Sequence, residues 1–533
     1  MKKAAGIVVL LLSVVTGIYL TCFSGNPVRY SECIVSKEQY DEIMTGRIQN
    51  SGLFHALVFE EETLMSDSEA GIFYYSLVEG NQSAYDPCVM IKSGSDNVKI
   101  AFLETGITKE GIRNDQTIPF LVYTDKFYAE YALKCTTLPL MNITCSAEIE
   151  EASIPMCVTL FDNSKNAINR TTVSEGVIHV RGNTTKLFPK LGYRFSLTQE
   201  SAGDHTRSNQ VSLLGMRQDD DWLLYAAYND QEKIRNVFSS NLWEYSCGTD
   251  NAGKINTGME YKYLELFING KYWGLYALGF PIDEKQLMLD PESREEGLYK
   301  GISWFTDGVI SFTEGGNVEG FRIKGAVNEA ERNWAPLVDY YQNLSLYRDN
   351  NEKLYAGIDL DNAIDIHLFV NLIQGVDHAM GGNQIKNLYI SIKKGEEGLT
   401  ALFAPWDMDV TWGNAWINDM DMNLTLPYAL SASNHIPMQI GYLNQLILNG
   451  ADSIEERILD KYRELRRTGW SEESINAMLD EYEEDIYGSG AYLREMERWP
   501  EGSYADASER LSTFREYVMD RLKEMDLYYD GGN

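Results

Sequence analysis

Two short stretches carry residues able to do chemistry together: Lys386-Asn387-Leu388-Tyr389 and Pro405-Trp406-Asp407-Met408-Asp409. Each borders an apolar, strand-like run, and Lys393, Lys394, Gly395 and Gly398 between them read as a turn. A hairpin of the two runs sets Asn387 near the start of one strand and Asp407 just past the end of the other. Both then reach one rim. An amide oxygen and a carboxylate converging there are hard ligands of the kind Mg²⁺ prefers. Asp409, two residues on, is a further ligand candidate or a supporting group. Asp377 lies in the glycine-bearing loop Gly375-Val376-Asp377-His378-Ala379-Met380-Gly381-Gly382-Asn383 and is the candidate base that orients an incoming hydroxyl. Asn383 rivals Asn387 for the metal, and His378 reads as a loop hydrogen-bonder.

The elements around these residues follow from periodicity. Residues 37–45 suit a short helix. Between 53 and 133 the chain reads as short strands (56–59, 71–77, 98–103 and 118–123) separated by Gly, Asn, Asp and Ser, as in a small sandwich. Mixed α/β character follows, with strands at 156–161, 176–181, 193–197, 263–268 and 273–278. Asn269-Gly270 between the last two is a strong hairpin signal. Residues 220–243 show helical spacing through Leu224, Ala227, Ile234, Val237, Phe238 and Leu242. A helix is expected over 361–374 with Asp361 as a possible N-cap, then three to five amphipathic helices over 436–527.

At 533 residues the chain exceeds what one core usually organises. The expected division is 1–27 as a signal peptide or signal anchor, 28–135 as a β-rich accessory domain and 136–527 as an α+β domain with a helical C-terminal part. An apolar content of 44% indicates a folded chain. A formal net charge of -33 argues against nucleic acid as a partner. Lys2 and Lys3 precede an uncharged run over 4–23, long enough to span a bilayer. That run places the protein outside the cytoplasm, membrane-anchored or secreted. The six cysteines after Cys22 permit disulfides there or remain thiols, and none has metal-site spacing.

Further motifs sharpen the reading. Val180-Arg181-Gly182-Asn183 is followed by Phe188-Pro189-Lys190-Leu191-Gly192-Tyr193-Arg194-Phe195. Downstream stand Asp221-Trp222-Leu223-Leu224, Lys233-Ile234-Arg235-Asn236 and Leu264-Glu265-Leu266-Phe267-Ile268-Asn269-Gly270-Lys271-Tyr272-Trp273-Gly274-Leu275-Tyr276. With the Lys386-Asn387 and Pro405–Asp409 stretches, this series resembles the spore coat protein H (CotH) kinase family over roughly 136–527. The resemblance implies an atypical, two-lobed, protein-kinase-like fold and ATP- and Mg²⁺-dependent phosphorylation of protein Ser/Thr. Asp377 would be the base, and Asn387, Asp407 and Asp409 the metal group. Arg181, Lys190, Arg194 and Glu265 would serve the nucleotide, Glu265 by anchoring a cation. The protein substrate would be secreted or part of the cell envelope, and the acidic surface suits a basic one.

Departures from the family pattern fall on the nucleotide side: Leu191, Gly192 and Ser196 stand where a lysine, a proline and a basic residue are usual. A catalytically silent scaffold that binds envelope carbohydrate or protein is therefore a competing expectation. A glycoside hydrolase using Asp407 with another carboxylate is a third, with only abundant Tyr and Trp behind it.

Overall fold

The computed structural model describes residues 23–93, 97–182, 184–199, 207–290, 292–303, 318–324, 333–375, 377–378, 386–395, 398–414, 416–417, 420–421, 440–451 and 453–531. The fold is α+β and divides into two compact units. The first comprises Met1–Asp220, Tyr263–Tyr276 and Glu484–Glu501. The second comprises Asp221–Lys262, Ala277–Glu483 and Gly502–Asn533.

In the first unit, apolar alternation builds two sheets around one core. One contains Ala56–Phe59 and Cys88–Lys92; the other contains Lys99–Leu103, Ile118–Tyr123, Phe127–Thr136 and Ile72–Ser76. Phe59, Val89 and Ile91 from the first meet Phe102, Phe120, Val122 and Leu133 from the second, the two-sided burial expected of a sandwich. The helix Lys37–Met44 starts at a capping box between Ser36 and Gln39. A further antiparallel series runs Leu140–Cys145, Ile154–Phe161, Thr171–Arg181 and Gly192–Thr198. In it Ile178, Val180, Tyr193, Phe195 and Leu197 are buried, while His179, Arg181 and Arg194 alternate with them onto the other face. Leu140–Cys145 also pairs in parallel with Tyr261–Ile268. The turn after that strand has φ of +53° at Asn269 and +68° at Gly270, the left-handed pair that a two-residue hairpin requires.

In the second unit the sheet Phe321–Ile323, Gly297–Gly301, Leu388–Gly395, Gly398–Pro405 supports the site. It packs near the helix Leu360–Leu372, which is buried all round. Asn362 locks the two together: its amide donates to the Phe403 carbonyl at 3.0 Å and its oxygen accepts the Phe403 N–H at 2.7 Å. The N-cap is Asp359, which accepts the Asn362 N–H at 3.2 Å. The helix thus begins before Asp361, because the first competent acceptor in the chain takes the orphan N–H groups. Asp365 sits wholly inside, with Lys461 Nζ at 3.9 Å. Burial pushes its carboxyl up to about 8, and the lysine offsets this only in part.

The helix expected over 220–243 is split. Asp221–Tyr225 is a strand paired with the end of Lys271–Gly279, and the helix is Arg235–Ser246. Trp222, Leu223 and Leu224 are all buried; a strand covered on both faces shows a continuous apolar run that periodicity alone does not separate from a helix. The expected C-terminal helices are present as Gly441–Leu448, Ile454–Arg467, Glu472–Glu483 and Ser512–Asp530, with Ala491–Arg498 in the first unit. The six described cysteines are free thiols, each buried or half-buried. Among the described residues no helix is long and apolar enough to cross a membrane. The apolar N-terminal run falls almost entirely on residues 1–22, outside the described residues.

Candidate active site

The hairpin Leu388–Gly395/Gly398–Pro405 has unbroken register from Leu388↔Pro405 to Gly395↔Gly398. Its open end therefore carries Asn387 beside Trp406 and Asp407. The Trp406 N–H donates to the Asn387 carbonyl at 3.0 Å. Asn387 Nδ2 donates to the Asp407 carbonyl at 3.2 Å and to Asp377 Oδ2 at 3.4 Å. Lys386 Nζ forms an ion pair with that same carboxylate oxygen. Four residues expected from the sequence or adjoining those expected thus converge. Asn387 and Asp407 adopt left-handed backbone, φ +56° and +58°, a conformation Asn and Asp tolerate better than other non-glycine residues.

Two further contacts fix the rim. Asn236, on the helix Arg235–Ser246, accepts the Met408 N–H at 2.8 Å, and Trp412 Nε1 donates to Ser239 Oγ at 2.9 Å. His378 Nε2 lies 3.0 Å from the Trp406 carbonyl, so that nitrogen carries the proton. Burial lowers the pKa of this histidine. It is a hydrogen-bonder that pins the loop holding Asp377, as expected.

The electrostatics are one-sided. Asp377 and Asp409 are both buried. Burial pushes Asp409 well above the usual carboxylate range, and the charges of Asp407 and Asp377 push it further; Asn229 Nδ2, at 3.5 Å, opposes this weakly. The Tyr225 hydroxyl, buried and without a hydrogen-bond partner among the described residues, is raised by burial and then by Asp409, Asp230 and Asp407. Among the described residues neither Asp407 nor Asp409 has an ion-pair partner. A divalent cation would supply the missing charge.

The donor set fits such an ion. Asn387 uses its amide nitrogen on Asp377 and Asp407, so the ligand it can offer is Oδ1. Among the described residues no group of three or more His, Cys, Asp or Glu could hold a metal alone. Amide, water or substrate oxygens would complete the shell, as is usual for Mg²⁺.

Arg181, Lys190, Arg194 and Glu265 all lie in the first unit. Lys190 is fully buried, its Nζ 2.6 Å from Glu495 Oε1, 2.5 Å from the Leu275 carbonyl and 4.4 Å from the Tyr276 ring centre. Burial lowers its pKa and Glu495 opposes the shift. Gly274, at φ +118°, leaves room for the Glu495 carboxylate; any side chain there would collide with it. Glu265 anchors a cation, but the cation is Arg494, through two bonds of 2.7 Å. Burial raises the Glu265 pKa, and Arg494, with hydrogen bonds from Thr136 and Tyr272, more than reverses this, leaving it lowered. Arg181 and Arg194 stand on the half-buried face of their strands, away from the buried one.

Arg494 and Glu495 were not expected from sequence. Their signal is the helical stripe Ala491, Arg494, Glu495, where charges occupy core positions. Asn236, Asn229 and Tyr225 were likewise missed as site residues. Asn383 and Asn183 lie outside the described residues.

Compared with protein families, residues 178–525 match the family model described as CotH kinase protein. No curated protein matches the chain.

Proposed function

Because the chain belongs to the CotH kinase protein family, we propose that it is an exported protein kinase that transfers the ATP γ-phosphate to a protein Ser/Thr hydroxyl with Mg²⁺. The observation that carries this reading is the convergence of Asp377, Lys386, Asn387 and Asp407 at the open end of one hairpin. Phosphoryl transfer needs chiefly positioning and charge neutralisation, and these residues supply both.

In this reading Asp377 accepts a hydrogen bond from the acceptor hydroxyl. It takes the proton as the new O–P bond forms and the β–γ bridging P–O bond breaks, releasing ADP. Lys386 orients the Asp377 carboxylate. Asn387 Oδ1 and Asp407 would hold the metal, with Asp409 behind them, and the bound ion supplies neutralising charge to the phosphates. Residues 136–527 form the two-lobed, kinase-like domain and 28–135 a β-rich accessory domain. The apolar run over 4–23 exports or anchors the chain, and the substrate is a secreted or envelope protein.

A catalytically silent scaffold is favoured by one observation: Lys190 is enclosed by Glu495, Leu275 and Tyr276 instead of being presented to a ligand. Thermal unfolding of the full chain with Mg²⁺ and ATP, against Asp407→Ala, decides between the two. ATP at 100 times its Kd stabilises by about 2.7 kcal/mol. A shift that needs Mg²⁺ and is lost in the variant supports the kinase. No shift at millimolar ATP sinks it.

A further inference from the structure

A pocket of about 100 Å³ opens in the first unit, where two of its apolar clusters meet. Tyr74 and Tyr75 are consecutive on the strand Ile72–Ser76 and so point to opposite faces. Tyr75 belongs to the cluster of Phe59 and Leu64, Tyr74 to that of Leu140 and Phe161, and all six line the pocket. Each is buried. An apolar cavity of about 150 Å³ encloses a benzene ring, so this smaller one suits a branched aliphatic group of about three or four carbons.

The half-buried residues around this apolar interior bring charge of both signs. Glu62 and Arg170 both line the pocket, and among the described residues neither has an ion-pair partner. Glu62 Oε2 accepts the Thr171 hydroxyl at 3.1 Å. Arg170 Nη1 donates to the Asp162 and Ser164 carbonyls, each at 2.7 Å. Those bonds fix the guanidinium and leave its Nε–Nη2 edge, which can take a carboxylate by two parallel bonds. The hairpin Ala56–Phe59/Glu62–Thr63 turns through Glu60 and Glu61, at φ +46° and +76°. A two-residue turn of that hand favours Asn-Gly. Two glutamates hold it at a conformational cost, a kind of strain that collects at ligand clamps. Glu60 accepts the Cys88 N–H at 3.0 Å and Arg29 Nη1 at 3.4 Å, so its charge is answered and that of Glu62 is not.

We propose that this pocket binds a free aliphatic α-amino acid. The side chain enters the apolar interior, the ammonium meets Glu62 and the carboxylate meets the open edge of Arg170. A ligand with both charges on one carbon and an apolar branch answers all three features. A residue inside a peptide carries neither backbone charge, and a fatty acid carries no cation. Every residue of this pocket lies in the first unit, so it stands whether or not the chain transfers phosphate.

Calorimetric titration of the full-length protein with L-leucine, L-isoleucine and L-valine tests the proposal. At least one is expected to bind saturably. Its amide, which lacks the carboxylate, should bind about tenfold more weakly, and glycine, which lacks the apolar branch, about a hundredfold more weakly. Arg170→Gln should erase the preference for the acid over the amide, whereas Glu62→Gln should weaken both alike. No saturable binding of any of the three at about 10 mM overturns the proposal. So does equal affinity for acid and amide in the wild type, or an unchanged preference in an Arg170→Gln protein with the wild-type thermal midpoint. Should that variant fail to fold, the comparison of acid, amide and glycine on the wild type decides alone.

Discussion

The two charged clusters of this protein are built on opposite terms. In the first unit Lys190–Glu495 and Arg494–Glu265 are buried pairs in which each charge meets its complement at 2.6–2.7 Å. In the second unit Asp377, Asp407 and Asp409 crowd one another, and among the described residues neither Asp407 nor Asp409 has an ion-pair partner. Compensated charge is architecture: remove one partner and the other is stranded in low dielectric. Uncompensated charge is unfinished, and a bound cation would complete it. The charge balance around a buried carboxylate therefore says more about its role than its burial does.

Substitutions can break that contrast. The largest effect is expected from Asp377→Asn, which removes the proposed proton acceptor while keeping the shape. Phosphoryl transfer should fall about 10²–10⁴-fold with little change in melting temperature. Arg494→Met should do the reverse, costing about 3–5 kcal/mol in urea unfolding because Glu265 is left buried without its counter-charge. If it proves neutral, the first cluster is not structural in the sense argued here.

Asp365 tests whether an incompletely paired carboxylate weakens the fold. Its folded pKa is about 8 against an ordinary 3.8. Between those values the folded state holds the extra proton, so stability falls as pH rises from about 4 to 8. The loss should be on the order of a few kcal/mol and should shrink in Asp365→Asn; identical pH profiles for the two proteins would refute this. The smallest effect sharpens the comparison. Asp409→Asn relieves the carboxylate crowding and should raise stability by about 0.5–2 kcal/mol, while weakening any Mg²⁺-dependent stabilisation. A destabilised Asp409→Asn would mean that the second cluster is compensated after all.

Local signals explain what the sequence could and could not reveal. The site hairpin was legible because two apolar runs flank a turn, and this alone brings Asn387 to Asp407. The Asn269-Gly270 hairpin was legible for the same reason. The strand Asp221–Tyr225 was not, since burial of Trp222, Leu223 and Leu224 erases the alternation that marks a strand. Arg494 and Glu495 were hidden differently: charges in a helical tail read as solvated surface until their partners, far away in sequence, are known. Lys190 was legible as a motif residue, but the Glu495 carboxylate that meets it was not, because the two stand far apart in the sequence.

The left-handed backbone at Asn387 and Asp407 has a consequence for how this site can decay over evolutionary time. Both positions disfavour most side chains on conformational grounds before chemistry is considered. If the proposed metal site holds, the cheap one-step exits from function are then Asp407→Gly, which removes the carboxylate, and Asp407→Asn, which removes its charge, and both satisfy the turn. Lineages that lose activity should accumulate those residues at the rim ahead of alanine or serine. A rim of Asn or Gly at position 407 would mark a relative that kept this fold after giving up its chemistry.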